Sequence, residues 1–288
     1  MQLGRIREIW RHPVKSMEGE RIARTPLTGR GVPGDRAWAV RDEVRGGIRG
    51  GKKIPGLMRL RARYLEDPKP DAPAPAPEIA LPDGTRIRAD APDAAKRVSE
   101  AVGAEVTLWP LRPAEDLAHY RRGAPTHTDV LTELRSIFGR ESDEPLPDLA
   151  SLPRELFEYE SPPGTYFDAF PLLLVTDASL RRLAELAPAS RIDVRRFRPN
   201  FVIEAVDAAA GFVEAGWAGA RLRVGGAVLE ATLPCPRCVM ITHGFADLPR
   251  DPGLMRTVVR EANQCIGVYA VVREPGEVRE GDTVERLM

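Results

Sequence analysis

The chain has 288 residues, 43% of them hydrophobic, and its 42 lysines and arginines balance 42 aspartates and glutamates. This length is enough for one large domain or two modest domains with a sizeable core. The zero net charge argues against a nucleic-acid-binding protein, which needs a basic excess, and no stretch approaches the roughly 20 apolar residues of a membrane span.

Cysteine usage and the first residues indicate a cellular compartment. Three cysteines, an odd number, suit a reducing cytosol better than a disulfide framework. Residues 1–6 lack the basic-then-apolar pattern of a signal peptide. We therefore expect a cytoplasmic protein that binds neither nucleic acid nor a membrane.

Short strands dominate the predicted elements. A Gly225-Gly226 pair supplies the positive φ that a two-residue hairpin turn requires, so the strands on either side of it should pair. The last two strands should form a closing hairpin around a turn at 274–277. The predicted strands cover residues 4–10, 35–40, 171–175, 221–224, 227–232, 266–272 and 283–287.

The predicted helices are fewer and cover residues 93–102, 129–138, 178–187 and 254–262. Gly103 and Gly139 follow two of them as C-terminal glycines, and Asp177 is expected to cap a third. The second helix places Val130, Leu131, Leu134, Ile137 and Phe138 on one face. Many strands with occasional helices, and no regular βαβ alternation, predict a mostly-β α+β fold with a barrel-like architecture.

Four short segments carry the residues that could do chemistry, at 12–16, 34–36, 196–200 and 234–238. The last one reads Pro234-Cys235-Pro236-Arg237-Cys238, with an arginine between two cysteines. A thiolate binds soft metals, and a neighbouring guanidinium favours the thiolate and can hold an anion. Together with Lys15, Arg36 and Arg198, these residues suit a cofactor with an anionic phosphate at one end and a sulfur-loving metal at the other.

Each of these residues also has a simpler interpretation. Single basic residues are most often solvated surface charges, and the two cysteines could be inert and buried. The Cys-x-x-Cys spacing could belong to a thioredoxin-type motif, although residues 239–242 look like a strand rather than a helix. Zinc bound by Cys235, Cys238, His243 and Cys265 is a further alternative.

Taken in order, the motifs resemble the molybdenum-cofactor sulfurase C-terminal (MOSC) family with its amino-terminal barrel companion, and are similar to amidoxime-reducing members. The resemblance covers nearly the whole chain. It rests on five groups of residues: 12–16 with 34–38, 167–171 with 176–180, 197–200 with Trp217, Arg237-Cys238, and Gly267-Val268-Tyr269 with Gly281-Asp282.

The resemblance implies a β-barrel MOSC domain at 113–288, a smaller β-barrel-like amino-terminal domain at 1–112 and a molybdopterin cofactor between them. Cys238 would bind molybdenum and Asp168 would lie near it, both at the catalytic centre. The residues implied to hold the pterin and its phosphate are Lys15, Ser16, Arg36, Arg198, Asn200 and Arg237.

The implied activity is reduction of N-hydroxylated compounds such as amidoximes and hydroxylamines. Electrons would come from a separate protein, which could be a ferredoxin, a cytochrome b5-like protein or a flavin reductase. The alternative is a carrier of sulfur or cofactor with a persulfide on Cys238. The chain departs from the family pattern at Ala169, at Phe170 and at 248–253, and these departures predict a more apolar substrate pocket.

Overall fold

The computed structural model describes residues 1–206, 209–245 and 247–288. The strands in these ranges are β1 (Gln2–Arg11), β2 (Glu20–Ile22), β3 (Arg24–Leu27), β4 (Trp38–Asp42), β5 (Ile48–Arg49), β6 (Arg61–Arg63), β7 (Glu78–Ala80), β8 (Arg86–Arg88), β9 (Val106–Pro110), β10 (Leu172–Thr176), β11 (Phe201–Ala205), β12 (Arg221–Val224), β13 (Ala227–Pro236), β14 (Cys265–Glu274), β15 (Gly276–Arg279) and β16 (Thr283–Arg286). The helices are α1 (Ala94–Val102), α2 (Leu117–Tyr120), α3 (Val130–Phe138), α4 (Glu155–Glu158), α5 (Asp177–Leu186) and α6 (Pro252–Glu261).

Seven strands close into a barrel in the order β11-β10-β14-β13-β12-β16-β1, because β1 pairs with both β16 and β11. Strand β2 extends the sheet beside β1. The β10–β11 pair is parallel, and the crossover between these two strands contains α5. Alternate side chains such as Ile6, Leu174, Phe201 and Leu229 fill the barrel interior and are at most 2% exposed.

A smaller β-rich part is formed by the amino-terminal third of the chain. It contains the sheets β5-β4-β9 and β6-β7-β8, with α1 against β9. Its own core includes Val14, Met17, Val40, Leu57 and Val98. The prediction of a mostly-β α+β fold, with a barrel and few short helices, is confirmed. The boundary between 112 and 113 stays a prediction, and β1 from the first segment hydrogen-bonds within the larger barrel.

Most predicted elements are present with shifted ends, and the Gly225-Gly226 hairpin is confirmed as β12–β13. The predicted closing hairpin is wrong. Strand β14 pairs with β13 and β10, β15 then pairs with β3, and β16 pairs with β12 and β1. The turn at 274–277 leads into a strand whose partner lies some 250 residues earlier, which a local pattern does not reveal.

Three further details of the predicted elements need correction. The side chain that caps α5 is Thr176, which accepts a hydrogen bond from the Ser179 N–H, and Asp177 is the first helical residue. Residues Val239–Thr242 form a 3-10 helix rather than a strand. The predicted strand at 35–40 begins only at Trp38 because Arg36 has a left-handed backbone, with φ 49°. No helix in the described ranges is long and apolar enough to cross a bilayer.

Candidate functional site

A cavity of about 450 Å³ brings together residues from both parts of the molecule. Four basic residues reach it from the amino-terminal part, Arg36, Arg49, Lys52 and Lys53, and the other lining side chains come from residues 122–269. The predicted site residues that line it are Arg36, Asp168, Arg198, Asn200, Arg237 and Cys238. Lys15 and Ser16 are buried just behind this lining, where Lys15 contacts Asp168 and Ser16 contacts Met240.

The backbone is strained at three of the predicted site residues. Ser16, Arg36 and Arg198 have φ values of 69°, 49° and 56°, a region that side chains other than glycine rarely occupy. Such a conformation costs about 1–3 kcal/mol and persists only where the surrounding structure enforces it. In the turns at 12–16, 34–36 and 196–200 the fold therefore keeps a backbone conformation that lowers its stability.

Asp168 lies between two lysines. Its Oδ1 is 3.1 Å from Lys15 Nζ and 3.2 Å from Lys52 Nζ. Partial burial acts to raise the pKa of Asp168, but the attraction of Lys15, Lys52 and Arg36 outweighs it and holds that pKa well below its ordinary value. The Asp168 carboxylate is thus an anion at neutral pH.

The two lysines differ in how they respond to this arrangement. Burial lowers the pKa of Lys15, whose Nζ also donates to the Tyr166 carbonyl at 2.9 Å and to Ser161 Oγ at 3.2 Å. For Lys52 burial also acts to lower the pKa, but Asp168 and Cys238 attract the ammonium and the pKa is raised. Lys52 is therefore a firmly charged cation on the cavity wall.

Lys52 is a site residue that the sequence motifs did not reveal. It follows Gly50-Gly51, and the Gly51 N–H donates to Ser16 Oγ at 2.8 Å. A Cβ on Gly50 would lie 2.7 Å from that same oxygen, so the loop approaches Ser16 closely because it is glycine. A Gly-Gly pair followed by two lysines was the available signal. The hydroxyl of Ser16 thus holds the loop that presents Lys52.

Arg198 is a buried cation with an unused donor. It is 7% exposed, and its Nη1 donates to the Met17 carbonyl. Its Nη2 is buried and has no hydrogen-bond partner among the described residues. Burial and the nearby Arg36 lower the pKa of Arg198 to about 9. Arg36 is fixed by an ion pair with Asp35 and donates to the Arg198 carbonyl at 3.1 Å.

Arg237 lies on the same wall and links Cys235 to the segment that carries Arg198. Its Nη1 donates to Cys235 Sγ at 2.9 Å and its Nη2 donates to the Phe197 carbonyl at 3.0 Å. Its Nε is buried without a partner in the described part of the chain. The surface-charge interpretation is wrong for Lys15 and Arg198, which are 3% and 7% exposed, and for Arg36, whose side chain is 12% exposed.

The cysteines occupy three different environments. Cys235 lies in β13, is 2% exposed, and burial raises the pKa of its thiol. Burial and the neighbouring Cys235 raise the pKa of Cys265 to about 11. Cys238 is partly exposed on the cavity wall, at the start of the 3-10 helix Val239–Thr242. Cys235 also borders the cavity, but Cys238 is the more exposed of the two and therefore the thiol better placed to meet a ligand there.

Neither alternative metal or redox arrangement gains support. Within residues 1–206, 209–245 and 247–288, no three His, Cys, Asp or Glu side chains lie close enough to hold a metal ion, so the proposed zinc ligands are not assembled. A thioredoxin-type motif opens an α-helix, whereas Cys235 ends a strand and Cys238 precedes a single 3-10 turn.

Asn200 is occupied by structural contacts although it lines the cavity. Its Oδ1 accepts from the Leu173 N–H at 3.1 Å and its Nδ2 donates to the Trp10 carbonyl at 3.4 Å. The amide thus links the strands β10 and β1. Its assignment to the cofactor stays a prediction.

The apolar part of the cavity differs from the expectation. Ala169 and Phe170 line it as expected, but residues 248–253 do not. Leu248 packs instead in a cluster with Met58, Met240 and Phe245. The apolar wall comes from α3 and from residues 149–157.

Comparison with known proteins gives two matching family models. The model described as MOSC N-terminal beta barrel domain matches residues 3–102, and the model described as MOSC domain matches residues 162–285. The rat protein named mitochondrial amidoxime reducing component 2 is 25% identical, and its human counterpart is 24% identical. Each alignment covers 100% of this chain and 84% of the relative.

Among solved structures, the crystal structure of the YuaD protein from Bacillus subtilis is similar to this chain. The superposition covers 98% of this chain and 94% of the YuaD chain. Its sequence identity is 12% and the TM-score is 0.44, an overlap too loose to support a conclusion about function. The two family models, in the order expected from the motifs, decide the family. The chain belongs to the MOSC-domain proteins that carry a MOSC N-terminal β-barrel domain.

Proposed function

We propose that this protein is a molybdenum-cofactor-dependent oxidoreductase that reduces N-hydroxylated compounds. The observation that carries the proposal is the position of Cys238. Its thiol lies on the wall of a cavity that also contains two buried guanidiniums, of Arg198 and Arg237, each with an N–H that has no partner among the described residues. A soft ligand and two unsatisfied cationic donors fit a cofactor that combines a metal with a phosphate.

The residues present fit the cofactor in charge as well as in donors. The basic side chains on the cavity wall outnumber the carboxylates that face them, and they include Arg36, Lys52, Arg198 and Arg237. Burial of a charge without a counterion costs free energy. An anionic phosphate bound by Arg198 and Arg237 would relieve that cost. Cys238 would hold the metal, and the strained turns at Ser16, Arg36 and Arg198 would keep the donors in place.

These positions assign different roles to the cofactor and to the protein. When bound, the molybdenum cofactor supplies two-electron redox chemistry, and the protein binds, orients and electrostatically tunes it. Reduction of R–NHOH consumes two electrons and two protons and gives R–NH₂ and water. The electrons come from a separate redox protein. Lys52, held by Asp168, is the charged N–H donor positioned to orient the departing hydroxyl group.

The names of the relatives support the choice of substrate class. The rat and human relatives are named amidoxime reducing components, and an amidoxime contains the N–OH group that this reaction removes. The competing proposal is that the protein is a carrier with a persulfide on Cys238. None of the described site contacts favours this carrier function over the reductase.

The test is anaerobic oxidation of reduced viologen by cofactor-loaded protein. We expect viologen oxidation to accelerate on addition of benzamidoxime or hydroxylaminopurine, with formation of the corresponding amidine or amine. Cofactor-free protein is the control. If fully loaded protein reduces neither substrate while Cys238 carries a transferable sulfane sulfur, the carrier function replaces this one.

A further inference from the structure

Helix α3 is amphipathic, but its apolar face does not enter a core. Val130, Leu134, Ile137 and Phe138 have the spacing of one helix face, and no residue of α3 is buried. All four side chains line the cavity that contains Cys238. Leu131 lies on the same helix, is 50% exposed and does not line the cavity.

Contacts at both ends hold α3 in place. At its amino end Asp129 caps the helix, and Glu133 pairs with Lys53, the neighbour of the cavity residue Lys52. At its carboxyl end Gly139 takes the left-handed conformation, and its carbonyl accepts from Arg256 of α6. The helix is therefore a fixed wall rather than a loose flap.

The carboxyl end of α3 lies beside the thiol segment. A Cβ added to Gly139 would lie 3.2 Å from Val239 Cα, the residue after Cys238. Arg140, the next residue after Gly139, donates to the Arg237 carbonyl at 3.2 Å. The apolar face of α3 is thus continuous with the wall that carries Cys238.

Apolar side chains continue this wall beyond α3, and the charged pair Glu133–Lys53 borders the cavity near the amino end of the helix. Residues Leu152, Leu156 and Phe157 add further apolar side chains to it, and Phe157 is 62% exposed. One side of the cavity is therefore cationic and the other apolar. Exposed apolar surface of this kind marks a ligand-binding site.

We propose that α3 is the specificity wall of the site and that it binds the apolar body of the substrate through Leu134 and its neighbours. This inference rests on the proposed function and narrows its substrate class to N-hydroxylated groups attached to an aromatic or bulky aliphatic body. A small molecule is the occupant because the face opens into the cavity that holds Cys238. The reacting N–OH group points toward Cys238 and Lys52 while the apolar body packs on α3.

The test compares Leu134→Ala with Leu131→Ala, the same truncation on the same helix away from the cavity. Benzamidoxime and acetamidoxime share the reacting group and differ in the apolar body. We expect Leu134→Ala to lower the ratio of kcat/KM for benzamidoxime over acetamidoxime by about 10-fold. Leu131→Ala should leave the ratio within about 2-fold of wild type. Pterin content of each variant normalises the rates.

A second readout does not need turnover. Calorimetric binding of benzamidoxime should be weaker for Leu134→Ala than for wild type and unchanged for Leu131→Ala. Equal ratios and equal binding in the two variants would overturn the specificity wall. If no form reduces either amidoxime but binding still separates the variants, the proposed function fails and the apolar subsite stands.

Discussion

At Arg198 the backbone has φ 56°, the side chain is 7% exposed, and its Nη2 has no partner among the described residues. The neighbouring Arg36 repels it, while Asp35 and Asp168 attract it. A buried cation that is both strained and incompletely paired costs stability. This cost is explained if the residue is held ready for an anionic ligand.

Replacement of Arg198 tests that explanation. We expect Arg198→Ala to bind the cofactor about 10- to 100-fold more weakly, because a charge-assisted contact is worth about 1.5–3 kcal/mol. Fluorescence of oxidised pterin released from the purified protein measures the loss. Arg191→Ala is the control, since Arg191 is 58% exposed and paired with Asp247 outside the cavity. Equal pterin in Arg198→Ala and wild type would remove Arg198 from the site.

At the scale of elements, the junction between β10 and α5 depends on one hydroxyl. Thr176 Oγ1 accepts from the Ser179 N–H at 3.1 Å and donates to Glu214 Oε2 at 2.6 Å. Burial raises the pKa of Glu214 above its ordinary value, although the hydrogen bonds from Ser179 and Thr176 oppose this shift. The hydroxyl of Thr176 thus both caps α5 and donates a hydrogen bond to the buried Glu214 carboxyl.

We predict that Thr176→Ala lowers the free energy of unfolding by about 2–3 kcal/mol, because it removes a helix cap and leaves a buried acceptor with one donor fewer. Thr176→Ser keeps the hydroxyl and should lose far less. Urea denaturation followed by circular dichroism provides the comparison. The shared role of the hydroxyl is wrong if the alanine and serine variants unfold at the same urea concentration.

Local patterns predicted the elements that local chemistry decides. Gly103 and Gly139 end their helices in the left-handed conformation, and Gly225-Gly226 turns a hairpin, as expected. The cap of α5 is Thr176 rather than Asp177 because Thr176 keeps an extended backbone and accepts from the Ser179 N–H, whereas Asp177 Oδ1 accepts from the distant Ala205 N–H in β11. Strand β15 was missed because its partner β3 lies near the other end of the chain.

The residues of the candidate site also fall into two groups, those that sequence motifs indicate and those that only tertiary contacts reveal. Motif order identified Lys15, Arg36, Asp168, Arg198, Arg237 and Cys238, which the fold brings to one cavity or directly behind its wall. Lys52 has only a weak sequence signal, a Gly-Gly pair followed by two lysines, and the tertiary contact with Asp168 is what makes it part of the site. The apolar spacing of α3 could not distinguish a core face from a cavity wall, because both require the same side chains.

At the scale of the whole molecule, the barrel is closed by the first strand. Strand β1 pairs with β11 on one side and β16 on the other, so the two ends of the chain meet in one sheet. Strands β3 and β15 add a second link between the two ends. The amino-terminal segment is therefore part of the structure that positions the barrel side of the cavity.

Gly4 tests this closure, because it lies opposite Ala205 in the β1–β11 pair. An added Cβ would collide with the Glu204 carbonyl and lie 2.9 Å from Ile203 Cγ2. We predict that Gly4→Ala destabilises the protein by about 1–3 kcal/mol, the range for overpacking. Gly29→Ala has open space around its Cβ and should be near neutral. Thermal unfolding measures both variants, and equal midpoints would show that this contact does not limit barrel closure.

The proposal that Cys238 binds the molybdenum of a cofactor is tested most directly by the molybdenum content of protein purified from a molybdenum-replete host. We expect stoichiometric molybdenum in wild type and in Cys235→Ser, because Cys235 is buried and its thiol is held by Arg237. In Cys238→Ser we expect little molybdenum and no amidoxime reduction. Equal molybdenum in wild type and Cys238→Ser, equal loss in both cysteine variants, or wild type free of molybdenum would contradict the proposal.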